Sequence, residues 1–309
     1  MPDPVRLVDS HGHVQAQPFA GDLAEVLAAA ALAGVERLLV PGWDLESSRD
    51  AVALAGGSPG TVSRPPGTVS RPPGTVPNGG LSPIPLRLDA AVGIHPHVAS
   101  SVDDATWSEV RALAADPSVL AIGETGLDYD RAFSPREAQL ASLRRHLALG
   151  RATGKPVILH CRSAAGRRDA QDELLAELRD VGVGDPSWAA ALCGRPPAIL
   201  HSFSGPVDYA EAALELGLAI SFSGLVFRRG EEASALVARL VPDDRLLVET
   251  DSPYLPPPGA PRRRNEPGWV RVTAAWVAER RGDDAARLGE KLVGAYDAVF
   301  QGRTGGMSR

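Results

Sequence analysis

His11 and His13 stand one residue apart in Val8-Asp9-Ser10-His11-Gly12-His13. In an extended segment the side chains of residues i and i+2 point the same way, so one metal ion can take both imidazoles. Gly12 leaves room between them and permits unusual backbone angles. Taken alone, such a pair fits a solvated turn better than a metal claw. What changes the reading is the company it keeps. Other short apolar runs end on Gly93-Ile-His95-Pro-His97, Gly123-Glu124-Thr-Gly-Leu-Asp128, His160-Cys-Arg162, His201-Ser-Phe-Ser-Gly205 and Glu249-Thr-Asp251-Ser-Pro253. Six of the seven histidines lie in these stretches and only His146 does not, a placement that chance would not give.

Imidazoles with carboxylates are the ligand set for Zn²⁺, Mn²⁺ or Mg²⁺. Five or more such groups exceed the needs of one ion and suit a two-metal site with a shared carboxylate. Glu124 ends an apolar run, where an unpaired acid is costly, and bridging two cations would remove that cost. A salt bridge beneath the site is the plainer alternative. His160 and His201 close the runs Pro-Val-Ile-Leu-His and Ala-Ile-Leu-His, equivalent places that argue for ligation over two satisfied core histidines. Asp251 can ligate and also take a proton from water as general base, against the alternative of a turn aspartate before Pro253. The chain has two lysines, Lys155 and Lys291. Lys155 opens a strand and belongs at the opposite end of it, so a lysine-derived bridging group is not expected and Glu124 takes that place.

Groups that could meet phosphate oxygens are His95, Arg162, Arg228, Arg229 and the run Arg262-Arg263-Arg264, followed by Asn265. Arginine forks suit phosphate, although an arginine run is equally read as a solvated loop. Trp43, Phe203 and Tyr254 could stack a base, with packing as the plainer role. A serine nucleophile is a poor fit because the G-x-S-x-G run Gly56-Gly57-Ser58-Pro59-Gly60 follows the helical pattern Asp44–Ala55 and not a strand, so it makes no strand-to-helix elbow. Cys161 alternates with His160 and Arg162 along a strand and points away from their face.

The elements that must position these residues alternate. Eight apolar runs read as buried parallel strands: Arg6–Asp9, Arg37–Val40, Leu88–Ile94, Val119–Gly123, Pro156–His160, Ala198–His201, Leu218–Phe222 and Arg245–Glu249. Between and after them lie helical patterns at Asp22–Ala33, Asp44–Ala55, Asp103–Ala115, Ser134–Ala152, Arg167–Val181, Pro206–Leu216, Glu231–Leu240, Gly268–Arg281 and Asp283–Phe300. Eight strand–helix units predict an α/β fold of the (β/α)₈ barrel type, with a doubly wound open sheet as rival. The barrel is preferred because it brings all strand ends to one rim, where the reactive residues fall.

Residues 1–302 are expected to form a single domain. Gly60–Val76 carries the unit GTVSRPP twice and the start of a third. Its Pro-Pro pairs exclude a coiled coil, so a disordered Pro/Gly-rich insertion is expected at about 57–80. A Pro-rich partner ligand is the minority reading. Residues 303–309 are expected to be a flexible tail.

The 309 residues are 44% hydrophobic and 23% charged, a globular composition. The formal net charge of −6 gives no general attraction to nucleic acid, so any such partner must be met by local charge. Two cysteines, Cys161 and Cys193, make no disulfide framework. No secretory signal or apolar run of about 20 residues is visible, so a cytoplasmic location and no membrane partner are expected.

Together the stretches DSHGH, VGIHPH, IGETGLDYD, ILHCRSA, ILHSFSG, LLVETDSPYLPP and RRRNEP resemble the TatD family of metal-dependent hydrolases, in that family's order and across nearly the whole chain. The resemblance implies a (β/α)₈ barrel of the metallo-dependent hydrolase type with two divalent metal ions (Mg, Mn or Zn). It implies DNase activity, of the 3′-to-5′ exonuclease or a related phosphodiesterase kind, with DNA or another phosphodiester or ester as substrate. An ester hydrolase, such as a D-aminoacyl-tRNA deacylase, is the alternative; a binding protein without turnover is disfavoured by the intact ligand set. By motif, His11 and His13 resemble ligands of one metal, Glu124 the bridging ligand, and His160 and His201 ligands of the second. Asp251 resembles the ligand and base at the first, and His95 and Arg162 resemble phosphate contacts. Ser202 departs from the family's usual cysteine, and Gln15 follows where an acidic or amide residue is common, a place that bears on the support of His13. Asp9 is expected to ligate weakly or to orient the imidazole of His11. The oligomeric state is left open, with a monomer favoured.

Overall fold

A computed structural model describes residues 5–57 and 85–301. The GTVSRPP repeat and the 303–309 tail lie outside the described residues.

Eight strands form one sheet in sequence order, every pair parallel. They are β1 (Leu7–Asp9), β2 (Val35–Pro41), β3 (Arg87–Val92), β4 (Val119–Asp128), β5 (Val157–Arg162), β6 (Ala198–Leu200), β7 (Ala219–Phe222) and β8 (Leu246–Val248). The helices are α1 (Leu23–Leu32), α2 (Leu45–Gly56), α3 (Asp104–Leu113), α4 (Arg136–Thr153), α5 (Asp169–Asp180), α6 (Pro186–Ala191), α7 (Val207–Glu215), α8 (Ser234–Leu240), α9 (Val270–Arg281) and α10 (Ala285–Phe300). All eight expected strands are present. Most of their residues are apolar and buried, as suits strands covered on one face by the barrel interior and on the other by a helical layer.

The barrel closes between its first and last strands without a regular ladder. Ser10 N–H donates to the carbonyl of Val248 at 3.0 Å, and its hydroxyl to the same oxygen at 3.0 Å. Beyond the strand ends, Asp251 N–H donates to the His11 carbonyl at 2.8 Å and His13 N–H to the Ser252 carbonyl at 2.7 Å. Gly12 pairs with Ser252 across this seam, where a Cβ would come within 2.9 Å of the Ser252 hydroxyl. The seam therefore brings His11 and His13 from one end of the chain beside Asp251 from the other.

Helix boundaries follow local chemistry. Asp44 caps α2 by accepting from Ser47 N–H at 2.8 Å, Asp103 caps α3 by accepting from Thr106 N–H at 2.8 Å, and Asp284 caps α10 by accepting from Arg287 N–H at 2.9 Å. Gly154 ends α4 at φ 64°, the left-handed conformation common after a helix. Differences from expectation have local causes too. Ser134 does not cap α4, because its hydroxyl donates to the His97 carbonyl at 3.0 Å. Residues 231–233 are outside α8. The short α6 was not expected; it starts at Pro186 and buries Trp188, whose Nε1–H donates to the Val181 carbonyl at 3.1 Å. Lys155 lies at the opposite rim as expected, its ammonium donating to the Ala114 carbonyl at 2.5 Å.

Asp89 on β3 is buried at the barrel wall and binds Arg37 of β2 at 2.5 and 2.9 Å and the Tyr296 hydroxyl of α10 at 2.9 Å. This cluster ties the last helix to the early strands. No helix among the described residues is long and apolar enough to cross a membrane.

Candidate metal centre

Strand β4 supplies the middle of the site. Its register against β5 pairs Ile122 with Val157 but Thr125 with Leu159, so one extra residue is taken up at Gly123–Glu124. Such a bulge re-aims a side chain, here Glu124, towards the rim. Gly126 at φ 139° lets β5 approach, since a Cβ there would overlap the His160 carbonyl. Glu124 and Asp128 then share a face on either side of it.

The two oxygens of Glu124 face different partners. Oε2 lies 3.4 Å from His11 Nε2 and 3.7 Å from His13 Nε2. Oε1 lies 2.9 Å from His201 Nε2, 3.0 Å from His160 Nδ1 and 3.4 Å from His95 Nε2. Asp251 Oδ1 closes the first group at 3.5 Å from His13 Nε2 and 3.9 Å from His11 Nε2. His11 Nε2 and His13 Nε2 are 3.2 Å apart. Three sets converge: His11, Glu124 and His201; His11, His13 and Asp251; and His95, Glu124 and His160.

These residues fit a metal. Nitrogen and oxygen ligands about 2.1 Å from one ion in a tetrahedral arrangement lie roughly 3.4 Å from each other, the spacing seen here. The ring of His11 is fully buried, stacked on His201 at 4.1 Å, and its Nδ1 has no partner among the described residues. A polar ring so placed is accounted for only by what its Nε2 faces.

The backs of the other rings are held. His201 Nδ1 faces Glu249 Oε1 at 3.0 Å, and His160 Nε2 faces Asp128 Oδ2 at 3.2 Å. His97 Nε2 donates to the same Asp128 oxygen at 2.7 Å. His13 Nδ1 donates to the Pro41 carbonyl at 3.2 Å, which also accepts from Gln15 at 2.7 Å, so Gln15 shares the support of His13. A carboxylate or carbonyl behind an imidazole fixes which nitrogen faces a metal. Asp9 does not orient the His11 ring. Its carboxylate accepts from His11 N–H at 3.2 Å, Thr250 N–H at 2.9 Å and the Thr250 hydroxyl at 2.6 Å, joining the ends of β1 and β8.

Electrostatics agree with ligation. Burial works against the charge on Glu124, but the facing imidazoles of His201 and His95 hold its carboxyl well below the usual range. Burial likewise opposes charge on Asp251, and His13, His201 and His11 hold it down. Burial lowers His95 to about 4 and also lowers His11, leaving neutral rings of the kind a metal needs. At His201 burial is outweighed by Glu124 and Glu249, which raise it well above its ordinary value. Metal binding would expel that proton.

The decisive comparison is with protein families. Residues 82–301 match the model of the TatD-related DNases, more than half of the chain. The chain belongs to the TatD-related DNase family. It is 36% identical over 289 residues to the TatD 3′-5′ ssDNA/RNA exonuclease of Musicola paradisiaca, covering 92% of this chain and 93% of that one. The TatD exonuclease of Cronobacter sakazakii is also 36% identical, over 89% of this chain and 90% of its own. Among solved structures, a TatD homologue from Escherichia coli aligns with a TM-score of 0.76 and 27% identity, covering 97% of this chain and 99% of that one. Family and barrel together make this a hydrolase of the metal-dependent, DNase-like class.

The remaining expected residues divide within this TatD fold. Arg162 is half exposed at the rim, 3.8 Å from Asp130, and stays available. Arg264 and Asn265 are spent on the protein. Arg264 binds Asp22 at 2.8 Å through two nitrogens and Glu266 at 2.7 Å. Asn265 is fully buried and donates to the carbonyls of Thr250 at 2.9 Å and Tyr254 at 2.8 Å, shaping the turn after Asp251. Phe203 is core, stacked on Tyr209, whereas Tyr254 is 58% exposed near His13. Burial pushes the Cys161 thiol up to about 12, so it is no thiolate nucleophile. Asp128, His97 and Glu249 stood in the stretches singled out from the sequence without a role. Strand alternation, with Asp128 four residues beyond Glu124, was the signal for the first of them.

Proposed function

We propose that this chain holds two divalent cations and hydrolyses phosphodiester bonds of single-stranded nucleic acid, working inward from a 3′ end. The observation that carries the reading is the division of Glu124, with His11 and His13 at one oxygen and His201, His160 and His95 at the other. One cation would take His11, His13, Asp251 and Glu124; the second would take Glu124, His160 and His201, with His95 beside them. When bound, such a pair supplies Lewis acidity to the phosphate and makes water a nucleophile near neutral pH.

The protein's own groups do the rest. Asp251 is held ionised and its side chain is 14% exposed, so it reaches both the buried cluster and the open mouth. It accepts the proton of the attacking water at a carboxylate oxygen. Its φ of 53° places it in the left-handed region, kept there by its N–H bond to the His11 carbonyl. Glu124 is 3% exposed and surrounded by imidazoles, so it holds position and does not shuttle protons. Asp128 and Glu249 fix the rings of His160 and His201. Arg162 at the rim offers a fork to a phosphate oxygen, and the exposed rings of Tyr254 and Phe133 offer faces to unpaired bases. The exonuclease names of the relatives and these rim aromatics together favour a single strand.

The test is hydrolysis of 3′- and 5′-end-labelled single-stranded DNA and RNA by apo protein refilled with Mg²⁺, Mn²⁺ or Zn²⁺. Stepwise shortening from the 3′ end supports the reading; no cleavage with any of these ions removes it.

A further inference from the structure

The loops after β7 and β8 enclose a groove of about 540 Å³, lined by Phe227, Arg228, Pro256, Pro257, Pro258 and Arg262 among others. Its walls are tightly joined, since a Cβ on Gly224 would overlap the Leu255 carbonyl. Pro256 is five residues beyond Asp251, so along the chain the groove starts within roughly 17 Å of the metal centre. Between them stands Tyr254, exposed, its ring 6.1 Å from that of His13.

Arg228 and Arg262 are exposed. Among the described residues neither guanidinium makes an ion pair, in contrast to Arg264 two residues on, which is bound to Asp22 and Glu266. Among the described residues the nearby acids Glu231 and Glu232 form no ion pair with them. Glu231 accepts from the Ser204 hydroxyl at 2.8 Å and Glu232 from Gly230 N–H at 3.2 Å. On a chain of formal net charge −6, two free forks facing one groove are a local reversal of sign. Three consecutive prolines make one wall stiff and poor in donors, leaving the arginines as its charged contacts. A groove of this kind suits a flexible polyanion, whose phosphates pair with guanidinium while its sugars lie against apolar surface.

We propose that this groove holds the sugar–phosphate backbone of the nucleic-acid strand a few nucleotides away from the bond being cut, with Arg228 and Arg262 clamping its phosphates. The assignment rests on the phosphodiesterase reading and deepens it: the strand runs from the metal centre past Tyr254 into the groove.

Binding of a fluorescent single strand of about a dozen nucleotides, followed by anisotropy across a salt series, tests it. All proteins carry Asp251→Asn, so that binding is read without turnover. The double variant Arg228→Ala/Arg262→Ala is compared with its parent and with Arg111→Ala, an exposed arginine on α3. The expected result is binding weakened roughly tenfold or more at low salt, and a slope of log affinity against log salt that is shallower by about 1.4, two phosphate contacts on a single strand. Replacing both arginines by lysine should retain most of that slope. A double alanine variant whose affinity and slope match the parent, or that loses no more than Arg111→Ala, overturns the proposal. Should native protein cleave no nucleic acid with any divalent ion while the slope still shifts, the hydrolytic reading fails and the groove stands only as a single-strand binding site, with its place relative to a scissile bond overturned.

Discussion

Asp128 Oδ2 lies 3.2 Å from Nε2 of His160, on the side of the ring away from Glu124. The carboxylate is fully buried, accepts also from His97, and has its own backbone N–H bound to Gln139 at 2.8 Å. His160 is thereby turned with Nδ1 towards Glu124, 3.0 Å from Oε1. Asp128→Asn should cut metal retention or activity by about 10- to 100-fold while leaving the fold intact. Metal content after dialysis, read with circular dichroism, checks this. Metal retention equal to that of the native chain would show that the ring does not need Asp128.

Asp251 is the ionised group that reaches from the imidazoles to the open mouth. Asp251→Asn keeps the size of the side chain and its backbone bonds but removes the proton acceptor. Hydrolysis should fall by orders of magnitude with the melting temperature of the apo protein little changed. Steady-state cleavage of end-labelled DNA at saturating metal is the measurement. Near-native turnover would remove Asp251 from the base role.

Asp89 is buried beneath α10 and satisfies Arg37 and Tyr296 at once. Asp89→Ala would strand a partly buried guanidinium and a buried hydroxyl. The expected loss is about 3–5 kcal/mol in urea unfolding. Because the cluster lies under the helical layer, metal affinity of the folded protein should stay close to native.

His146 is the histidine outside the rim stretches. It is fully buried in α4, its Nδ1–H donating to the Ser142 carbonyl at 2.7 Å and its Nε2 accepting from Ile94 N–H at 2.9 Å. Burial lowers it from 6.5 to about 4. The folded state therefore disfavours the proton, and this contribution to stability is full above the unfolded value and lost as pH falls from about 6.5 towards 4. Between about pH 7.5 and pH 5 the group alone should cost about 2 kcal/mol of unfolding free energy. Urea unfolding of native protein and His146→Gln at the two pH values isolates it: the pH-dependent drop should be smaller in the variant by that amount.

Much of this was legible in the sequence because parallel strands buried on both faces are apolar runs, and their ends are marked by polar residues that apolar runs do not otherwise contain. His11, His13, Glu124, His160, His201 and Asp251 were visible for that reason, and the structure brings them together. Arg264 and Asn265 were misplaced as substrate contacts because a residue's type does not disclose its partner. Asp22, which binds Arg264, is distant in sequence, and Asn265 is drawn inward by carbonyls of the turn after Asp251. His95 was read as a phosphate contact, and the structure puts it 3.4 Å from Glu124, at the edge of the ligand cluster. The β4 bulge at Gly123–Glu124 and the β1–β8 seam depend on pairings between strands and leave no local pattern to read. Asp9 was expected to ligate weakly or to orient the His11 imidazole, and its bonds go to the His11 backbone and to Thr250 across that seam.

The proposed nuclease activity depends on two cations shared through Glu124. Titrating apo protein with Mn²⁺ while following cleavage of end-labelled single-stranded DNA tests it most directly. Cleavage is expected to be absent without metal and to reach its plateau rate at two equivalents per chain, with Glu124→Gln failing to reach it. A full rate at one equivalent, or cleavage by Glu124→Gln equal to that of the native chain, would contradict it.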